Sequence, residues 1–313
     1  MQIFKKAPNF DLMGKRRYAI AFSLLLITVS IGSLAVRGLN YGLDFTGGTL
    51  IEVGYTQAVD LQKVRTTLDK AGFGDAVVQH FGTARDVLVR LAPRVGEESD
   101  ALGDQILKVL NADSDSEVKM RRQEFVGPQV GDELRDQGGL AMIIALAFIL
   151  VYVMARFEYR FALGAIIALV HDVLIVLGLF ALFQWDFDLT VMAAVLAVIG
   201  YSLNDTIVVF DRIRENFRKM RKDSPLVVIN TSLNQTLSRT LMTSITTLMV
   251  VLAMFFLGGE LIHSFSLALI IGILVGTYSS IYVASTAALA LKITSTSLMP
   301  VQKEGVDQGN QEY

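Results

Sequence analysis

The residues with most chemistry to offer are ionisable side chains inside long apolar runs, because a lone charge at a bilayer centre costs roughly 2.5–3.5 kcal/mol on insertion scales. In the run 189–210, Gly200, Ser202, Asn204, Asp205 and Thr206 interrupt an otherwise apolar helix pattern. At ~1.5 Å rise per residue, Asp205 sits about 9 Å inside Asp211, within the hydrocarbon. Arg239 opens the run 239–257 and is followed by Thr240, Thr243, Ser244, Thr246 and Thr247. Its long side chain could reach Asp205. His171 and Asp172 lie in the run 161–183, about 18 Å from Arg160 by the same rise, and add a second polar layer near mid-membrane.

If these helices pack together, Asp172, Asp205 and Arg239, with hydroxyls between them, line a polar route through the membrane. Burial and a nearby guanidinium act on a carboxyl in opposite senses, so Asp205 could exchange a proton as Arg239 approaches or withdraws. One charge moved through the membrane potential yields about 2.3 kcal/mol per 100 mV, enough to bias a conformational equilibrium. The residues leave two plainer readings open: a static Asp205–Arg239 ion pair, or an Arg239 that snorkels to the inner interface. Asn204 is expected to bond between helices, as are His171 and Asp172. Neither His80 nor His171 has a partner spacing for a metal or general-base site, and there is no cysteine. No nucleophile-base-orienter set and no phosphate loop is present. An enzyme is therefore the least expected class, with no cofactor and no metal.

The elements that must hold these groups follow from composition. Of 313 residues, 52% are apolar and 19% charged, and the mean hydropathy of +0.49 does not suit a soluble surface. The 28 basic and 30 acidic residues nearly cancel, so nothing argues for a nucleic-acid partner. Six runs meet the ~20 apolar residues that a membrane-crossing helix requires. They are 18–36, 139–155, 161–183, 189–210, 239–257 and 264–291. A cleaved signal peptide competes for the first, since Ser33-Leu34-Ala35 resembles a cleavage site, but the run is long for that and its loss would spoil the alternation of loops. Lys and Arg gather in the tail 1–17, at Arg156 and Arg160, and in the loop 211–238, where Arg212, Arg214, Arg218, Lys219, Arg221 and Lys222 cluster. Positively charged flanks resist translocation, so both termini, including the tail 292–313, are expected in the cytoplasm. The basic loop reads as a solvated face, with membrane lipids as a lesser contact. Gly272, Gly276, Ser280 and Ala284, four apart, mark a close-packed helix face.

The stretch 37–138 has 12 basic and 17 acidic residues and reads as an extracytoplasmic domain with its linker. Strands are expected at 49–56, 76–81, 86–91 and 117–126. A helix over 60–71 has Asp60 as N-cap and a stripe of Leu61, Val64, Leu68 and Ala71, and Ser99 could cap a second. The order β-α-β-β-α-β is the split βαβ, ferredoxin-like pattern. The fold class is thus an α-helical polytopic membrane protein of six transmembrane helices with an α+β ferredoxin-like outer domain. His80 is expected on an exposed or edge strand, where an extended peptide could add.

Five strings occur in order along nearly the whole chain: YGLDFTGGT over 41–49, EFVGPQVG over 124–131, ALVHDV over 168–173, VIGYSLNDTIVVFDRIREN over 198–216 and SRTLMTS over 238–244. Together they resemble the SecF family of protein-export membrane subunits, within the resistance-nodulation-division superfamily. The resemblance implies a bacterial inner-membrane protein that pairs with SecD beside the SecYEG channel and YajC. It implies use of the proton-motive force to draw preproteins outward late in translocation, without ATP. The proton pathway would then rest on Asp205 and Arg239, with Asn204 and Asp172. The motif residues Asp44, Gly47, Gly48, Gly127 and Pro128 would be structural. Half of a proton-driven small-molecule or lipid exporter of the same superfamily is the alternative, and a passive scaffold a third reading.

Overall fold

The computed structural model describes residues 8–93, 99–114 and 117–293. From the N-terminus, α1 (Arg16–Val36) leads through a two-residue β1 (Asn40–Tyr41) and a one-turn α2 (Leu43–Thr46) into an α+β unit. That unit runs β2 (Gly48–Tyr55), α3 (Leu61–Lys70), β3 (Val77–Phe81), β4 (Thr83–Leu91), α4 (Ser99–Ala112) and β5 (Val118–Val126). Then follow α5 (Pro128–Arg156), α6 (Tyr159–Phe183), β6 (Asp186–Phe187), α7 (Leu189–Lys219) and α8 (Pro225–Leu257). The last crossing is α9 (His263–Ser279), a π-helical turn (Ser280–Ala284) and α10 (Ser285–Ala290).

The six long helical segments are each long and apolar enough to cross a membrane. Three run well past the expected apolar limits. The polar stretch before residue 139 is helical from Pro128 onward, because Pro128 starts the helix at its first turn, where no N–H is needed. Most of the supposed loop 211–238 is helix as well. Pairs from Glu215 to Arg212 and Lys219 carry α7 on to Lys219. Pro225 opens α8 after an extended Ser224. The early turns of α8 anchor the N-terminal segment: Asn230 accepts the N–H groups of Leu12 and Met13, and Asn234 accepts that of Phe10. Apolarity marks only the lipid-embedded part of a helix, so none of these extensions shows in hydropathy.

The outer sheet has the order β3-β4-β2-β5, all antiparallel, as the split βαβ pattern requires. Asp60 caps α3, accepting the Gln62 N–H at 2.9 Å. The buried face of β4 presents Val87, Val89 and Leu91, as alternation predicted, and meets Val64 and Leu68 of α3 and Ile106 of α4. His80 is exposed on the edge strand β3. The expected cap role of Ser99 lies outside the described side chains.

Two features join this domain to the membrane helices. Asn40–Tyr41 pairs in parallel with Asp186–Phe187, tying the exit of α1 to the α6–α7 turn. Arg90 of β4 donates to the Tyr41 carbonyl at 2.9 Å and forms an ion pair with Asp186, which also accepts from Gln79 at 3.0 Å. The sheet edge therefore rests on the turn that begins α7.

Candidate functional site

Close approach of helices requires small residues where they cross. Along the predicted stripe, a side-chain carbon on Gly272 would meet Val198, and one on Gly276 would lie 3.0 Å from Ser202 Cβ. Ser280, one turn on, meets Asp205, and Ala284 approaches Gly164 of α6. With α7 and α9 this close, short hydroxyl side chains span the gap.

Asp205 is 7% exposed and held from two other helical segments. Thr240 of α8 donates to one oxygen at 2.7 Å, and Ser280 of the π turn donates to the other. Asp172 is 1% exposed. It accepts from Ser202 of α7 at 2.5 Å and from Ser279 at 2.7 Å, and its second oxygen lies 2.9 Å from His171 Nδ1. His171 Nε2 continues to Ser23 of α1 at 3.2 Å, and Ser23 to Tyr278 at 3.0 Å. The adjacent Ser279 and Ser280 thus serve different carboxyls, and Ser202 sits one turn from Asp205 on the same helix. The two polar layers share one hydroxyl seam. Buried carboxyls in hydrocarbon must have their lone pairs met: two hydroxyls do this for Asp205, and two hydroxyls with His171 Nδ1 for Asp172.

Arg239 and Asn204 lie elsewhere than expected. Among the described residues no ion pair joins Arg239 to Asp205, and the Arg239 side chain is exposed on α8, one position before Thr240. Asn204 is exposed too, and among the described residues it lacks the expected bond to another helix. One residue turns a helix by about 100°, so the neighbours of inward-facing Asp205 and Thr240 face outward. Most threonines after Thr240 also leave the route: Thr243, Thr246 and Thr247 donate to carbonyls of their own helix. Ser244 is the exception, bonded to Thr277 at 2.7 Å and to Tyr201 at 3.2 Å.

Sequence patterns missed Ser279, the π turn and the bond that Ser280 of the predicted stripe makes to Asp205. Such turns insert a residue into the hydrogen-bond ladder and often mark functional sites. Here the turn starts at the hydroxyl on Asp205. The legible signals were the small-residue stripe through Ser280 and a pair of serines in an apolar run.

The glycine motif lies where the outer domain meets the membrane helices. Asp44 accepts the N–H of Leu189, the first residue of α7, at 3.0 Å. Asp188 accepts the Val191 N–H at 2.8 Å, and burial pushes its carboxyl up against that bond and the Thr190 hydroxyl. Gly47 and Gly48 have φ of 65° and 119°. A side chain on Gly47 would come within 2.9 Å of Pro128 Cα, and one on Gly131 within 2.8 Å of Gly47 N. Gly127 is the extended N-cap of α5. The motif closes a backbone-on-backbone joint between α2 and the start of α5.

Residues 106–294 match the model described as protein export membrane protein SecD/SecF, C-terminal, and residues 32–59 match the SecD/SecF GG motif. The protein translocase subunit SecF of Vibrio alginolyticus is 56% identical over 308 residues, covering 98% of both chains. The chain belongs to the SecF family. The SecF of Pseudomonas aeruginosa is 53% identical over 304 residues, 96% of this chain and 98% of that one. Among solved structures, SecDF of Thermus, described as a translocon-associated membrane protein, superposes with a TM-score of 0.84 at 41% identity. That match covers 93% of this SecF-family chain and 40% of the longer SecDF chain. SecDF in a super-membrane-facing form gives 0.69 at the same identity and coverage. The chain is a multi-pass membrane protein of a protein-translocase family.

Proposed function

We propose that this SecF-family chain is an accessory subunit of the Sec export machinery in a bacterial inner membrane. Paired with SecD beside SecYEG and YajC, it uses the proton-motive force to promote late, ATP-independent preprotein translocation. The observation that carries the reading is Asp205: a carboxyl buried in the apolar span, held by neutral hydroxyls from two other helical segments, with Arg239 one residue from one of those donors. A carboxyl in this setting can take up or release a proton without breaking an ion pair. Arg239 then gates it by approaching. Asp172 and His171 extend the seam toward α1, and Asn204 and Arg239 face a pairing subunit.

Pairing with SecD is supported by the superposition on SecDF, in which this chain spans only part of the longer one. The basic cluster from Arg212 to Lys222 supports cytoplasmic termini and a periplasmic α+β domain. The joint through Asp44 and Asp186 offers a route from protonation to motion of that domain.

The test replaces Asp205 with Asn, which keeps the shape and one accepting oxygen but cannot ionise. Assembly with SecD and export of a preprotein are measured with and without a proton gradient. Intact assembly with lost gradient dependence is expected. Unchanged gradient-driven export would overturn the reading, and lost assembly would favour a structural role.

A further inference from the structure

A cavity of about 440 Å³ opens between α1, α6 and α10, at the Ser23–His171 end of the polar seam. This volume lies within the usual range for a ligand pocket. Its walls are aliphatic, and Leu24, Val170 and Ile167 at its rim are about half exposed. Its few polar residues include Ser23, His171 and Thr286. Ser23 and His171 bond to each other. The Thr286 hydroxyl is buried and, among the described residues, has no hydrogen-bond partner. A helical threonine ordinarily donates to the carbonyl one turn back, but here that turn belongs to the π segment.

Charge at one end of the cleft says what fills it. Ala19 and Ala290 line that end, each two residues from a cation: Arg17 on α1, and Lys292 just past α10. Both are exposed, as is Lys15, and none has an ion-pair partner among the described residues. Arg160 at the same end is already paired with Glu158. Cations at helix ends beside an apolar groove that opens to lipid suit an anionic headgroup above an acyl chain.

We propose that this cleft holds an anionic phospholipid, its phosphate between Arg17 and Lys292 and one acyl chain along Val170 and Leu24. The occupant is a bound lipid and not cargo: the cleft reaches His171 and Ser23, and neither Thr240 nor Ser280 lines it.

Native mass spectrometry of the full chain, released from nanodiscs of phosphatidylglycerol or of phosphatidylcholine, tests the assignment. The wild type should retain one phosphatidylglycerol and little phosphatidylcholine. Val170→Trp, which fills the cleft, should abolish retention. The double change Arg17→Ala with Lys292→Ala should lower it about tenfold or more and erase the headgroup preference, as loss of two cations beside an anionic headgroup predicts. Those two positions are exposed, so that variant stays folded even if the tryptophan does not. Equal retention of both lipids by the wild type, or wild-type retention by either variant, would overturn the proposal.

Discussion

Asp44, in the one-turn helix leading into the outer sheet, accepts the N–H of Leu189, the first residue of the helix that carries Asp205. One carboxylate thus belongs to the glycine motif and to the N-terminus of a membrane helix, where orphan N–H groups and the helix dipole favour negative charge. Asp44→Ala should cost about 1 kcal/mol, the usual loss for a helix cap, and Asp44→Asn only a fraction of it, since an amide oxygen can still accept. Thermal unfolding of the full chain in detergent reads the difference. Equal midpoints for Ala and wild type would mean that water or Asp188 already serves that N–H.

Gly47→Ala should be worse, although only a methyl is added. The glycine has φ 65° and ψ 177°, a conformation essentially closed to other residues. The new carbon would also press on Pro128 Cα at 2.9 Å. Strain of about 1–3 kcal/mol is expected. Because it falls at the start of α5, limited proteolysis should show faster cleavage near residues 126–131 than in the wild type. An unchanged pattern would refute the joint.

The six spans and the outer sheet were legible because each rests on a local rule: apolar runs of fixed length, strand alternation, and an Asp60 cap ahead of a helical stripe. Asp205 and Asp172 were legible for a related reason, since charge in an apolar run stands out. Which hydroxyls partner them was not, although Ser202 and Thr240 stood among the polar residues of their runs. Thr240, Ser202, Ser279 and Ser280 are unremarkable residues whose roles depend on how α7, α8 and α9 cross, and the charge of Arg239 pointed to a pair that the helix rotation does not make. The pairing of Asn40 with Asp186 spans nearly half the chain and rests on two-residue strands, too short to leave a periodic signal.

The Thr240 hydroxyl is predicted to matter only while Asp205 is a carboxyl. Thr240→Val keeps the shape and removes the donor, and a hydrogen bond to a charged group contributes about 1.5–3 kcal/mol. In the Asp205→Asn background the same change should cost clearly less. A double-mutant cycle on the detergent unfolding midpoint therefore should give a coupling of about 1 kcal/mol or more. Additive effects would show that Thr240 is a packing residue.

Alkaline sensitivity of the outer domain should trace to Tyr55, the last residue of β2. Burial, and secondarily the Asp113 carboxylate, push its phenol up to about 12 from an ordinary 10.0. Below pH 10 the phenol is protonated in both folded and unfolded chains and the domain has its full stability. As pH rises from 10 toward about 12, the unfolded chain releases its proton first, so stability falls across that window, by roughly 2–3 kcal/mol at most. Tyr55→Phe cannot ionise and should flatten that stretch of the stability profile. Denaturant midpoints across the window read the slope, and the wild-type-minus-variant phenolate absorbance reads the titration directly. If the difference spectrum titrates near pH 10, Tyr55 is open to solvent and the core beneath β2 is looser than its packing against Val64 and Leu110 implies.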